Sequence, residues 1–277
     1  MSLMWKLLAT TLLLSSFLHA QNVSDDVEYF LEDQFSGNAK LKSVDVKVDS
    51  VVPVKEVKGW NAYIVDVTAT LKKKPKDIIR QKMIWFSNGD VITKDLITLK
   101  TGQNLQEVVK PQFKDEYYRD ENLIYGNKDA KHKIVIFSDP LCPFCKGFVP
   151  GALQNLKKEP NKFAVYYYHF PLLRLHPASA TLVKAAAAAE LQGVKDVVLR
   201  LYTVKINPRE KDVEKILAAF NKVEGTNITV ADINSEAVKK QIESDVSVAR
   251  DLMVAGTPTV YLDGKVDNTK KKYLKVK

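Results

Sequence analysis

Both cysteines of this 277-residue chain fall in one tetrapeptide, Cys142-Pro143-Phe144-Cys145, and the flanking text sets it at a strand-to-helix junction. Lys133 to Phe137 reads as a short buried strand, and Lys146 to Lys158 as a helix bent at Pro150, which lacks one backbone donor. Pro143 suits the first helical position, where its missing N–H has no intrahelical partner anyway, which makes Cys142 the N-cap. A sulfur there is expected to accept from the N–H of Phe144 or Cys145, and the helix dipole favours its negative charge. Cys142 is then the candidate nucleophile. Cys145, one turn further in and more buried, is the candidate resolving thiol. The other uses of such a pair are a metal half-site and inert packing. Zinc needs two more ligands, and beyond residue 20 the chain offers only His132, His169 and His176, the last two spaced unlike an H-x3–5-H pair.

After this junction, Phe163 to Phe170 supplies a second strand, and the order β-α-β argues for a parallel pair with a right-handed crossover. From Pro177 to Ala255 the text turns helical. Ala178 to Leu191 is alanine-rich, Val213, Ile216, Leu217 and Phe220 share a face behind Asn207-Pro208, and Val238, Ile242, Val246, Ala249 and Met253 share another. A break at Gly256-Thr257-Pro258 leads into strand text from Thr259 to Leu262, with Asp263-Gly264 as a hairpin turn. The tail beyond Gly264 is short and lysine-rich, so either a terminal helix is reduced or the sheet edge is open.

The first third of the chain differs in texture. Val27, Phe30, Leu31 and Phe35 recur at helical spacing up to about Gly37. Val44, Val46 and Val48 then alternate with polar residues, Tyr63 to Leu71 is β-branched, and Met83 to Phe86 and Val91 to Leu96 flank a turn at Asn88-Gly89. Gln103 to Tyr118 looks helical around Leu105, Val108, Val109 and Phe113, interrupted by Pro111. The organisation expected is a signal segment over 1–20, a small α+β domain over 21–102, a helical linker over 103–121, and an α/β domain over 122–277 with a helical insertion over about 177–255.

At the start, Lys6 precedes an apolar run from Leu7 to Leu18, followed by Leu18-His19-Ala20. This is the pattern of a secretory signal peptide with cleavage after Ala20, and the run is short of the roughly 20 residues that span a bilayer. Its removal takes away one lysine and no acid from a formal charge of +9, so the mature chain stays basic. The lysines are scattered and no nucleic-acid motif accompanies them. An exported chain meets an oxidising compartment, yet two cysteines in one CxxC build no disulfide framework.

Ile134-Val135-Ile136-Phe137-Ser138-Asp139-Pro140-Leu141 followed by the CPFC tetrapeptide resembles the active-site segment of Dsb-type thioredoxin-fold proteins, and Gly256-Thr257-Pro258-Thr259 resembles their cis-proline loop. An X-Pro bond is cis in only about 5–6% of folded cases, so a cis Pro258 is what the resemblance implies. It also implies that Thr257 and Pro258 bind the backbone of an extended substrate. Phe170-Pro171-Leu172 and His176-Pro177-Ala178-Ser179 resemble the entry to the helical insertion of DsbA-like members. No buried acid is identified as a proton acceptor for Cys145, and for Asp139 a role in a surface turn stands beside a catalytic one.

More weakly, Val23 to Tyr118 resembles the N-terminal domain and linker of DsbC and DsbG proteins, which implies a homodimer. Thr257 leans the same way, and Phe144 cannot donate the bond by which a histidine in this position stabilises the thiolate of DsbA. The family resemblance thus implies a periplasmic disulfide isomerase or reductase acting on unfolded or misoxidised exported proteins, without metal or organic cofactor, and served by a DsbD-like membrane reductant. The alternatives left open are a DsbA-like oxidase with a DsbB-like membrane oxidant, and a chaperone-like holdase.

Overall fold

The structure, a computed structural model, describes residues 23–276, and the signal segment expected over residues 1–20 lies outside them. The chain divides between Pro111 and Gln112 into two compact units. Among the described residues no helix is long and apolar enough to cross a membrane.

The first unit sets one helix, α1 (residues 23–36), against an antiparallel sheet of β1 (Leu41–Pro53), β2 (Asn61–Leu71), β3 (Ile78–Ser87) and β4 (Ile92–Thr93), paired in chain order. Alternation does what it should: Val44, Val46 and Val48 turn inward with Val65 and Val67, and Val27, Leu31 and Phe35 of α1 cover them. Two carboxylates one helical turn apart also reach the outer edge of β1. Glu28 accepts from the Val48 N–H at 2.7 Å and Glu32 from the Val46 N–H at 2.9 Å, satisfying donors that an edge strand leaves open. The strand expected from Val91 to Leu96 shrinks to Ile92–Thr93.

The linker is not the helix expected over 103–121. The segment forms three single 3-10 turns, Leu105–Glu107, Asp115–Tyr117 and Asp120–Asn122, with non-helical backbone at Lys114 and Arg119 before the last two. Pro111 has no N–H to continue a helix and biases Lys110 away from helical angles. The apolar spacing serves other ends: Leu105 is buried, its N–H bonded to the Leu96 carbonyl, and Gln106 Nε2 donates to the Ile84 carbonyl at 3.1 Å.

The second unit holds a five-stranded sheet ordered β5-β7-β6-β8-β9, made of β5 (Leu123–Tyr125), β6 (His132–Ser138), β7 (Phe163–His169), β8 (Thr259–Leu262) and β9 (Lys265–Val266). β6 and β7 run parallel, joined by α2 (Pro143–Leu156), and the other pairings are antiparallel. The two-residue period of the central strands sorts two cores. Ile134, Ile136, Val165 and Tyr167 pack under α2 with Cys145, Val149 and Leu153, whereas Val135, Phe137, Tyr166 and Tyr168 pack on the other face with Val248 and Leu252. This is a thioredoxin-like α/β fold.

Between β7 and β8 lies the helical insertion: α3 (Ser179–Leu191), α4 (Val197–Leu201), α5 (Val213–Glu224), α6 (Val230–Ile233) and α7 (Glu236–Asp251). Ala185 to Ala189 are all buried, which lets neighbouring helices approach α3 closely. α5 starts behind Asp212, not Asn207-Pro208, because the Asp212 carboxylate accepts from the N–H groups of Glu214 and Lys215. Asp263 and Gly264 both take positive φ, 49° and 73°, the mirror-image turn that suits a two-residue hairpin. After β9 a single 3-10 turn, Lys272–Leu274, buries Tyr273 against the α2 face.

Candidate active site

β6 ends at Ser138, and four residues later the chain enters α2 with Pro143 at its first position and Cys142 as N-cap. The Cys142 N–H donates to the Asp139 carbonyl at 3.2 Å, and the Cys142 carbonyl accepts from the Lys146 N–H at 2.9 Å. Both cysteines are free thiols. The cap bond expected at the sulfur is not made. In this dithiol form Cys142 Sγ–H instead donates to the Thr257 carbonyl at 3.6 Å, because a thiol proton needs an acceptor that the helix N-terminus cannot provide.

The Thr257–Pro258 bond is cis, and the loop brings Thr257 and Pro258 up to the start of α2. Cys145 is fully buried, one turn inside the helix. Burial pushes its thiol up to about 11, against hydrogen bonding from the Ser138 hydroxyl, the Thr257 hydroxyl and the Asp139 backbone, and with a further upward push from Cys142. Phe144, between the two cysteines, stands 78% exposed. Pro143, Phe144, both cysteines, Thr257 and Pro258 therefore meet at one place.

Asp139 departs from the surface-turn expectation. Its carboxylate is fully buried and accepts from the Leu141 N–H at 2.8 Å, the Leu172 N–H at 2.7 Å and the Ser179 hydroxyl at 2.6 Å, with His176 Nδ1 at 3.1 Å. It thus pins the segment before Cys142 to the segment that enters α3. An aspartate three residues before an N-cap is a visible signal for a local turn, but partners 33 to 40 residues away are not.

Sequence reasoning also missed a line of hydroxyls under α2. Ser138 Oγ lies 2.6 Å from Tyr202 OH, which lies 2.7 Å from Tyr167 OH, all three buried. Tyr167 follows from strand alternation, whereas Tyr202 arrives from the end of α4. The remaining histidines are elsewhere: His132 pairs with Asp263 at 2.8 Å at the far end of β6, and His169 faces Glu190 at 3.6 Å. Among the described residues no three of His, Cys, Asp and Glu gather as a metal site.

A family model described as thioredoxin matches residues 119–277, more than half of the chain. The chain belongs to the thioredoxin family. A relative from Bacillus cereus, "Probable disulfide bond formation protein D", is 28% identical over 155 residues, covering 52% of this thioredoxin-family chain and 70% of its own. Among solved structures, ScsC from Proteus mirabilis in a compact conformation is similar at 25% identity and a TM-score of 0.45, over 55% of this chain and 74% of that one. Oxidised BdbD from Bacillus subtilis is similar at 19% identity and a TM-score of 0.43, over 61% and 98%. This family member is of the Dsb type, and its chemistry is thiol–disulfide exchange.

Proposed function

We propose that the protein is an exported, periplasmic disulfide isomerase or reductase for misoxidised proteins, with Cys142 as the attacking sulfur and Cys145 as the resolving one. The observation that carries this is the asymmetry of the pair. Cys142 opens α2 as its N-cap with its sulfur beside the Thr257 carbonyl of the cis-proline loop, while Cys145 lies fully buried one turn further in, where burial pushes its thiol up to about 11. Cys142 then attacks a substrate disulfide, one substrate sulfur leaves as a thiolate, and a mixed disulfide forms. Release follows either by attack of another substrate thiol, which isomerises, or by Cys145, which leaves the substrate reduced and the protein oxidised.

Thr257 and Pro258 guide an extended substrate segment past Cys142. Exposed apolar residues in the first unit, Tyr29, Ile78, Ile79 and Val91, together with a groove of about 380 Å3 lined by Phe35, Leu41, Val44, Val67, Ile79 and Met83, support the homodimer in this reading. A DsbD-like membrane reductant would return the pair to the dithiol.

One finding favours a second reading, a DsbA-like oxidase: the Bacillus cereus relative is named for disulfide bond formation. The deciding experiment mixes residues 21–277 with a test enzyme carrying scrambled disulfides, with Cys142→Ala as control. Recovery of activity that the variant lacks supports the isomerase. Rapid oxidation of a reduced test protein without such recovery overturns it in favour of the oxidase, and suppression of aggregation retained in Cys142→Ala points to the holdase.

A further inference from the structure

Cys145 has to ionise in order to attack, yet it sits in an apolar core where a thiolate is penalised. The carboxylate nearest in sequence, Asp139, is already engaged by Leu141, Leu172, Ser179 and His176. What the site does hold is hydroxyls. Ser138, the last residue of β6, shares the face of Ile134 and Ile136, and Cys145, Tyr167 and Tyr202 pack together in the buried cluster on that face. Tyr202 OH backs Ser138 at 2.6 Å, and Tyr167 OH backs Tyr202 at 2.7 Å.

We propose that Tyr202 and Tyr167, acting through the Ser138 hydroxyl, are positioning residues that hold Cys145 as a thiolate while it resolves a mixed disulfide. Each hydroxyl carries one proton and can turn. With the line running Tyr167 to Tyr202 to Ser138 to sulfur, every O–H donates toward the negative charge, and hydrogen bonds in such a chain strengthen one another in a low-dielectric site. None of the three is a base. Cys145 loses its proton, its sulfur attacks Cys142 Sγ, the bond between Cys142 and the substrate sulfur breaks, and a Cys142–Cys145 disulfide forms. The substrate sulfur is reduced; the proton ends on it, or in buffer when the leaving thiolate is weakly basic. Tyr202 comes from the insertion, so the helical layer supplies a working part of the dithiol site.

The inference rests on Cys142 being the attacking thiol, and one experiment separates the two. The reduced protein is mixed with one equivalent of 5,5′-dithiobis(2-nitrobenzoate), and release of coloured thiolate is followed by stopped flow across pH. Cys142 releases the first equivalent and Cys145 the second, so Cys145→Ala should show the first phase alone. In Tyr202→Phe the second phase is expected to slow about tenfold at pH 7, its rate–pH profile moving up by about one unit, with the first phase unchanged. Ser138→Ala should do the same and Tyr167→Phe less. Tyr168→Phe removes a buried hydroxyl that donates to the Tyr117 carbonyl on the other face; it should lower stability and leave the profile in place. An unmoved second-phase profile in both Tyr202→Phe and Ser138→Ala overturns the inference while the attack by Cys142 stands. A missing first phase in the unmodified protein overturns both.

Discussion

The Ser179 hydroxyl donates to the buried Asp139 carboxylate at 2.6 Å, joining the start of α3 to the loop that delivers Cys142. The same carboxylate takes the N–H groups of Leu141 and Leu172, so it organises both loops at once. Asp139→Ala strands these buried donors, and bonds to a charged acceptor are worth about 1.5–3 kcal/mol each, so a loss of roughly 3–5 kcal/mol is expected. Urea unfolding measures it. If the loop also positions Cys142, the rate of Cys142 alkylation per folded molecule falls as well; a variant that melts early but alkylates normally would limit Asp139 to scaffolding.

Cys145 sets an alkaline limit on stability. Its folded value lies near 11 against an ordinary value of 9, so between those pH values the folded state binds more protons than the unfolded one. Stability from this group is complete below about pH 9 and is lost as pH rises through 11, up to roughly 2–3 kcal/mol. Half-buried Tyr118 and buried Tyr261 are raised to about 12 and act in the same direction, so the effect must be read as a difference. Denaturation from pH 8 to 11 should show the reduced protein losing stability faster than Cys145→Ala. Parallel curves would reject the buried-thiol argument.

The start of α2 was legible because its causes are local: a strand, a capping position, and a proline whose N–H is not needed. The alternation of Val44, Val46 and Val48 was legible for the same reason. Pro111 was legible too, but its weight was not, since apolar spacing in the linker was read as a helix when Leu105 and Gln106 were anchoring a loop to β3 and its neighbours. Asp139 and Tyr202 depend on partners that only the folded topology brings near. The Cys142 sulfur shows a third kind of gap: a cap acceptor was expected of a thiolate, whereas a thiol has a proton to place and finds Thr257.

His169 and Asp245 form a buried pair of contacts with an unusual acid-side consequence. Asp245 accepts from the His169 N–H at 2.9 Å and from Asn122 Nδ2 at 2.8 Å, yet its burial outweighs these bonds and raises it to about 6. For His169 burial acts downward, but Glu190 and Asp245 outweigh it, and the imidazole is raised. Both groups bind more protons folded than unfolded. The part of stability from Asp245 is full below about pH 4 and lost as pH rises through 6, and that from His169 is lost above the ordinary 6.5. Relative to Asp245→Asn, the unmodified protein should lose roughly 2–3 kcal/mol between pH 4 and 7. An identical pH slope in the two would show that Asp245 titrates normally.

Gly126 closes β5 at φ 82°, and a Cβ there would lie 1.8 Å from the Phe163 carbonyl oxygen. Gly193 has nearly the same φ, 85°, with nothing within 4 Å of the corresponding position. The two glycines separate backbone preference from contact. Gly193→Ala should cost only the conformational penalty, about 1 kcal/mol. Gly126→Ala adds a clash with backbone at the start of β7, where the neighbouring Asn127 N–H is bonded to the Pro160 carbonyl and cannot retreat without breaking that bond. A loss of at least about 3 kcal/mol is expected there. Thermal melts of the two variants side by side test this, and equal losses would mean that β5 and the start of β7 separate easily, contrary to the packing described for the α2 face.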